Sequence, residues 1–439
     1  MNERPLSSVT RPSGCPGLLR VVQALDGGIC RIKLDAGSIQ ADQADAVALG
    51  AERLAQGVIE ATNRCNLQIR GIGSEHGALI EQLLAAGLGP HTPAGDDVRN
   101  LMLSPTAGID PQMLFDTRPL AAQILVTLQT HDRFHELSAK FAVQLDGGEA
   151  LAMLEHHHDL WLSARLHEGQ PWLAFGLAGC LEDESMGSVP LSLGHGLVVA
   201  VLALFLERAR PDQTRMRHLL AEMGREEFLA CLARRVPLQP RLEGQRPAPV
   251  EGLHLGIQPQ HDERFYVGAA VPLGRLDPDM LRAAAAIARH QGDGSLRFTP
   301  WQSLLLPNIR GEHAEEVLAR LQALGFLCSS DQPLAQLIAC TGASGCGKAL
   351  ADTKADARQL ADRLMRQGQA LKVHLSGCSR SCAAAHIAPV TLLAVAPGRY
   401  DLYLRDKALP GFGALRAHNL TIEAVGQWLD ARPRSPLDA

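Results

Sequence analysis

The chain carries one long stretch twice. Shifted by 237 residues, positions 34–86 fall on 271–323 without a gap, and thirteen positions are identical. They include Gly37/Gly274, Gly57/Gly294, Thr62/Thr299 and the pair Glu75-His76/Glu312-His313. Alanine richness inflates part of the match, but the glycines, threonines and Glu-His pairs do not come from composition. A duplicated unit too small for its own core must bury its apolar face against another. The two copies are therefore expected to pair into one domain. Each reads as strand, helix, strand, helix: residues 29–34, 41–56, 62–70 and 75–86, then 265–271, 278–290, 296–306 and 314–324.

What lies between and after the copies is also of one kind. Residues 87–235 read as mixed α/β, with strands at 122–127, 140–145 and 171–175, a further element at 160–166, and helices at 194–208 and 212–223. Residues 236–250 hold four prolines and read as a linker. The last segment repeats the mixed pattern, with strands at 334–339, 370–375, 390–395 and 399–404 and helices at 351–366 and 421–431. The expected order is A-B-A′-B′: A over 1–86, B over 87–235, the linker, A′ over 251–329 and B′ over 330–439.

B′ alone carries Cys340-x5-Cys346 and Cys378-x3-Cys382. Ten cysteines in 439 residues are too few for a disulfide scaffold. Cys15, Cys30, Cys65, Cys180, Cys231 and Cys328 are scattered and read as small buried apolar residues. Four clustered thiols suit tetrahedral zinc or a [4Fe–4S] cluster. The five-residue interval, and a second pair expected to open a helix after a strand, favour the cluster. Gly342-x4-Gly347-Lys348 mimics half of a phosphate loop, but Ala349 stands where a magnesium-binding hydroxyl belongs. Gly71-x-Gly73 mimics a dinucleotide loop, yet its repeat partner makes the same turn without those glycines. His156-His-His158 is a poor metal site because adjacent residues diverge; His374 and His386, flanking the second cysteine pair, are better placed.

Read as one strand, residues 62–70 put Arg64, Asn66, Gln68 and Arg70 on one face, either solvated or a cationic floor for an anion. Arg31 and Lys33 form another such pair. A net charge of −5 gives no nucleic-acid footprint. The longest apolar run falls short of the ~20 residues of a membrane span, and the first fourteen residues lack the apolar core of a signal peptide. A cytoplasmic protein is expected.

On these residues the chain resembles the nitrite/sulfite reductase family over nearly its whole length. The resemblance implies an α+β fold in which two ferredoxin-like half-domains pair and two mixed α/β domains complete the duplication. It implies a [4Fe–4S] cluster on Cys340, Cys346, Cys378 and Cys382, beside a tetrapyrrole, which is sirohaem in the reductases. Ala61-Thr-Asn-Arg64 followed by Leu67-Gln68, Asp97-Val-Arg99-Asn100 and Leu137-Ser-Ala-Lys140-Phe141 resemble family segments whose cations meet tetrapyrrole carboxylates or the anion. Arg64, Arg99 and Lys140 are thus the implied substrate-binding cations, with Arg31, Lys33 and Arg70 as further candidates. The segment's second lysine is Ala142 here, and its proline is Ser138.

Arg11-Pro-Ser-Gly-Cys-Pro-Gly17 and His374-Leu-Ser-Gly-Cys378-Ser-Arg-Ser-Cys382 resemble a compact branch of the family, the precorrin-3B synthases of aerobic cobalamin biosynthesis. In that branch the tetrapyrrole, precorrin-3A, is the substrate. The implied reaction is an O2-dependent hydroxylation at C20 with γ-lactone formation, NADH being the indirect reductant through a separate electron-donor reductase. A mononuclear non-haem iron is also implied, without assignable ligands. The alternatives are a sirohaem-dependent sulfite or nitrite reductase and a non-catalytic tetrapyrrole or cluster carrier.

Overall fold

The computed structural model describes residues 14–240 and 246–431. Arg11–Ser13 of the amino-terminal motif, five linker residues and the last eight residues of B′ lie outside them. The chain divides into two compact units, one built from Val21–Leu88 with Val250–Ala439, the other from Gly89–Pro249 with the described residues up to Arg20.

In the first unit the two copies pair by exchanging a strand. One sheet runs Val22–Ala24, Gly27–Ile32, Leu67–Ile72, Val58–Ala61 and then Arg275–Leu276 from the other copy. The second runs Gly256–Pro259, Phe265–Ala270, Ser303–Ile309, Ser295–Phe298 and then Ser38–Gln40 from the first copy. Helices Ala41–Leu54 and Pro278–Gln291 begin and end at the same repeat positions. Arg289 bridges Asp42 and Asp45 at 2.7 Å, and Arg282 bridges Glu52 at 2.8 Å, tying one helix to the other.

The backbone repeats as faithfully as the sequence. Left-handed residues recur in five matched pairs: Ala36/Leu273, Gly37/Gly274, Gly57/Gly294, Cys65/Gln302 and Gly71/Asn308. Gly71 and Asn308 are the two residue types that enter this region most readily. Gly71 therefore marks a bulge within the strand Leu67–Ile72 and not a dinucleotide loop. At Gly37 an added Cβ would lie 2.9 Å from the Phe298 carbonyl oxygen, and at Gly274 3.1 Å from that of Ala61, where the exchanged strands enter.

One correction falls identically on both copies. Residues 62–70 and 296–306 are not single strands. Each spans a hairpin: Val58–Ala61 turns at Thr62–Asn66 into Leu67–Ile72, and Ser295–Phe298 turns at Thr299–Ser303 into Ser303–Ile309. Thr62 Oγ1 accepts from the amides of Arg64 and Asn66 at 3.3 and 3.1 Å; Thr299 Oγ1 accepts from Trp301 and Ser303 at 3.2 and 3.4 Å. The repeated threonine is a turn residue.

B and B′ share one topology. Leu101–Leu103, Val143–Asp146 and His158–His167 are parallel neighbours, followed by antiparallel Gln170–Gly179 and Gly187–Pro190. Leu337–Ala339, Val373–Ser376, Val390–Ala396, Arg399–Leu404 and Ala414–Leu420 repeat that order and sense. Residues 122–127, expected as a strand, lie inside the helix Arg118–Thr130. Its β-branched run misleads, but Pro119 in the first turn and buried Leu120, Ala121, Ile124, Leu125 and Leu128 follow helical spacing. The segment Leu191–Arg208 is apolar enough in composition to cross a membrane. Its Leu197, Val201, Leu204 and Phe205 are fully buried within the protein, as in a core helix.

Candidate functional site

The four cysteines stand on loops leaving the carboxyl ends of two adjacent parallel strands of B′, where open α/β sheets place their ligands. Leu337–Ala339 leads into Cys340, and Val373–Ser376 into Gly377-Cys378, with Ala339 paired to Leu375. The Gly377 amide donates to Cys340 Sγ at 3.2 Å, and the Leu350 amide to the Gly377 carbonyl at 2.9 Å. An added Cβ on Gly377 would meet that of Ala349 at 2.6 Å, so glycine permits this approach. Thr353 Oγ1 lies 3.5 Å from Cys340 Sγ and donates to the Cys340 carbonyl at 2.8 Å. The second pair does not open a helix: Cys378 to Cys382 lie on turns, with Ser381 left-handed.

Among the described residues no three His, Cys, Asp or Glu side chains form a ready-made site for a metal ion. The four thiols nonetheless share one neighbourhood. Cys382 is the most exposed, and its thiol is pushed up by desolvation within the loop, then by Cys378, Cys340 and Cys346 in turn. Crowded thiols resist ionising together, and a bound metal reverses that balance by taking them as thiolates. This all-sulfur donor set fits an iron–sulfur cluster. The phosphate-loop reading fails on geometry, because the following helix starts only at Thr353.

Buried charges grip the first cysteine loop. Arg70 forms a two-pronged pair with Asp26 at 2.8 and 2.9 Å and donates to the Gly345 carbonyl at 3.3 Å. Glu60 accepts from Thr341 Oγ1 at 3.2 and 3.3 Å and from Arg275 at 3.0 Å, with Lys354 and Arg70 each 3.7 Å away. Burial pushes the Glu60 carboxyl up, but Lys354, Arg70 and Arg275 together hold it below its ordinary value. Lys354 is lowered by burial, with Glu60 opposing. The sequence reading missed Glu60, Asp26, Thr341 and Lys354. No local sequence signal selects Asp26 and Glu60, which lie in A, far along the chain from the cysteines.

His374 is 1% exposed and its Nε2 has no hydrogen-bond partner among the described residues; burial, then His386, lowers it to about 3. His156 and His158 are buried while His157 is exposed, and His158 Nδ1 faces the His156 carbonyl at 2.9 Å.

The proposed cations divide between the units. In the first, Arg64 is half-buried on the Thr62–Asn66 turn, off the strand face expected for it. Arg31 Nη2 and Nε donate to the Gln68 amide oxygen at 2.7 and 3.0 Å once that amide is oriented to suit both. Lys33 is buried just past the strand, and Arg70 is held as above. In the second unit Arg99 is buried, donating to the Gly89 carbonyl at 3.3 Å with Asp96 at 3.6 Å, while Lys140 is exposed. Asn100 joins their segments: its Nδ2 donates to the carbonyls of Asp97, Ala139 and Phe141 at 2.8, 3.1 and 3.1 Å. Ala142 is buried at the start of the sheet, its amide donating to Asp159 at 2.9 Å.

B has a polar replacement for the cysteine site. At the end of the strand equivalent to Val373–Ser376 it carries Asp146-Gly-Gly-Glu149. Arg246 clamps Asp146 through two bonds of 2.9 Å, and burial with Asp146 pushes Glu149 up to about 8.

An exchanged pair of ferredoxin-like halves, each followed by an α/β domain, with four thiols on the second of these, defines a duplicated two-part architecture. Residues 23–87 and 258–324 match the nitrite/sulfite reductase ferredoxin-like half domain, and 94–239 match the nitrite and sulphite reductase 4Fe-4S domain. The chain belongs to the nitrite and sulfite reductase family. The second match covers B, whose cysteines are Cys180 and Cys231, and not the four-cysteine set.

Chloroplastic ferredoxin–nitrite reductase of Zea mays is 30% identical over 82% of this chain and 68% of its own length. Sulfite reductase [ferredoxin] 2 of Mycolicibacterium paratuberculosis is 27% identical over 92% and 78%. Precorrin-3B synthase of Sinorhizobium sp is 28% identical over 91% and 84%. The chain spans about two thirds of the plant enzymes, 68% for maize and 65% for rice. The solved structure of Mycobacterium tuberculosis NirA protein superposes with a TM-score of 0.77 at 23% identity, over 92% of this chain and 79% of that one, which establishes the fold.

Proposed function

We propose that this chain is a precorrin-3B synthase: an O2-dependent monooxygenase that hydroxylates precorrin-3A at C20 and forms the γ-lactone, in the cytoplasm, with electrons from NADH through a separate reductase. The observation that carries the reading is Ala142. Where the reductase pattern has its second lysine, this chain has a buried alanine at the start of a sheet. A site without that lysine is poorly equipped to hold and protonate sulfite or nitrite.

Cys340, Cys346, Cys378 and Cys382 are the proposed cluster ligands, and a bound [4Fe–4S] cluster would supply single electrons. Arg64 is proposed to bind a substrate carboxylate through charge-assisted hydrogen bonds. Arg99 and Lys140, on segments joined by Asn100, are proposed for the same chemistry. Arg31, Lys33 and Arg70 have more internal environments, and Arg70 serves the cysteine loop. The mononuclear iron has no evident ligand set among the described residues, and no step is assigned to it.

The test is anaerobic purification, followed by an absorption spectrum and turnover of precorrin-3A with O2 and a reductase. Precorrin-3B formed by protein free of sirohaem supports the proposal. Stoichiometric sirohaem with sulfite or nitrite reduction would replace it with the reductase reading.

A further inference from the structure

Glu60 is the point where three modules of the first unit meet. It lies on Val58–Ala61 of A. Arg275, paired with it across the exchanged strand, comes from A′. Thr341, inside the Cys340–Cys346 loop, and Lys354, on the helix Thr353–Arg366 that follows it, come from B′. Lys354 Nζ also donates to the Leu273 carbonyl at 2.5 Å and the Ala339 carbonyl at 3.5 Å, so one ammonium grips A′ and the strand that ends at Cys340. The side chains of Lys354 and Glu60 are 6% and 11% exposed. Their interaction is therefore little screened by solvent.

This node is absent from the other copy. The repeat partner of Glu60 is Arg297, and that of Arg275 is Ser38, which pair with each other. The acid–base pair stands only on the side that holds the cysteine loop; the matching position in the other copy carries the cation Arg297 opposite Ser38. Arg70 completes the grip: its partner Asp26 packs so closely on Gly345 that an added Cβ would meet Asp26 Oδ2 at 2.6 Å. The ensemble carries three cations, Arg70, Arg275 and Lys354, against two carboxylates, Glu60 and Asp26.

We propose that Glu60 and Lys354 are positioning residues that anchor the first cysteine loop and set the electron affinity of the centre the cysteines hold. This rests on the reading that those cysteines carry an iron–sulfur cluster. One-electron reduction by an external donor adds one negative charge to the centre. Removing a nearby negative charge favours that step, and removing a positive charge opposes it.

The experiment uses full-length protein with Glu60→Gln and Lys354→Gln, purified anaerobically. Iron and sulfide are quantified, and the cluster is titrated with dithionite under EPR. The midpoint is expected to rise in Glu60→Gln and fall in Lys354→Gln, each by about tenfold in the oxidised-to-reduced ratio at fixed potential, or ~59 mV for one electron. Opposite signs separate charge tuning from loop damage, which would move both variants the same way. If either variant fails to fold, Glu60→Asp should hold the wild-type midpoint and Arg275→Gln should lower it. Unmoved or same-sign midpoints in variants that retain the cluster overturn the inference alone. Wild-type protein without stoichiometric iron and sulfide overturns the cluster reading and this inference with it.

Discussion

Arg70 and Arg64 are the same residue type six positions apart, but their surroundings give them different work. Arg70 is buried with both prongs on Asp26, so Arg70→Ala strands a carboxylate and releases Gly345. Breaking such a pair costs about 3 kcal/mol, to be read from the urea midpoint together with loss of bound iron. Arg64 sits on a half-exposed turn, so Arg64→Ala should leave stability within ~0.5 kcal/mol. It should weaken precorrin-3A binding about tenfold, the loss of one charge-assisted pair. Equal affinity in titrations of wild type and variant would end its carboxylate role. His374 gives a pH signature. Its folded value is about 3, below the unfolded value near 6.5, so the folded state binds fewer protons. Its contribution to stability is whole above about pH 6.5 and is lost as pH falls toward 3. His374→Gln should therefore lose less stability than wild type between pH 6.5 and 4.5, measured by urea unfolding at each pH.

At the scale of elements, the turns decide what the sequence could reveal. The Thr62 and Thr299 hydroxyls each hold two backbone amides. Thr62→Ala and Thr299→Ala should each cost about 1 kcal/mol, and their serine variants far less. Equilibrium unfolding of the four single variants checks this. The turns escaped recognition because they lack the glycine signals of a hairpin. The left-handed positions are filled by Cys65 and Gln302, which carry no such signal. The helix ending at Arg208 and the strand Arg399–Leu404 were legible because periodicity and boundary residues agreed. The helix Arg118–Thr130 was not, since burial on one face overrode its β-branched run. The cysteines were legible from spacing alone. Their charged support was not, because Thr341 lies 281 residues from Glu60 and only the exchanged pairing of the copies brings the segments together.

At the scale of the whole molecule, duplication followed by divergence has left one site of each kind. B′ holds four thiols at the ends of its parallel strands. B holds Asp146 and Glu149, with Arg246 closing over Asp146. On the proposed reading the chain carries one cluster, held by B′. Cys346→Ser and Cys378→Ser should each lose most iron and sulfide, whereas Cys180→Ser and Cys231→Ser in B should retain the wild-type content. The same asymmetry bears on whether the tetrapyrrole is retained or turned over. A reductase keeps its ring as a cofactor and needs cations for both the ring and a small anion. On the proposed reading Lys140 serves the ring, and buried Ala142 leaves the anion without a second lysine. Protein purified from cells unable to make precorrin-3A should then contain iron in the cluster ratio and no macrocycle. It should bind one added precorrin-3A per chain, and the bound ring should leave as precorrin-3B when O2 and electrons are supplied. Restoring the lysine with Ala142→Lys should not create sulfite reduction, because the side chain would enter a buried position at the sheet and destabilise the second unit instead. A soluble, sulfite-reducing Ala142→Lys variant would return the chain to the reductases.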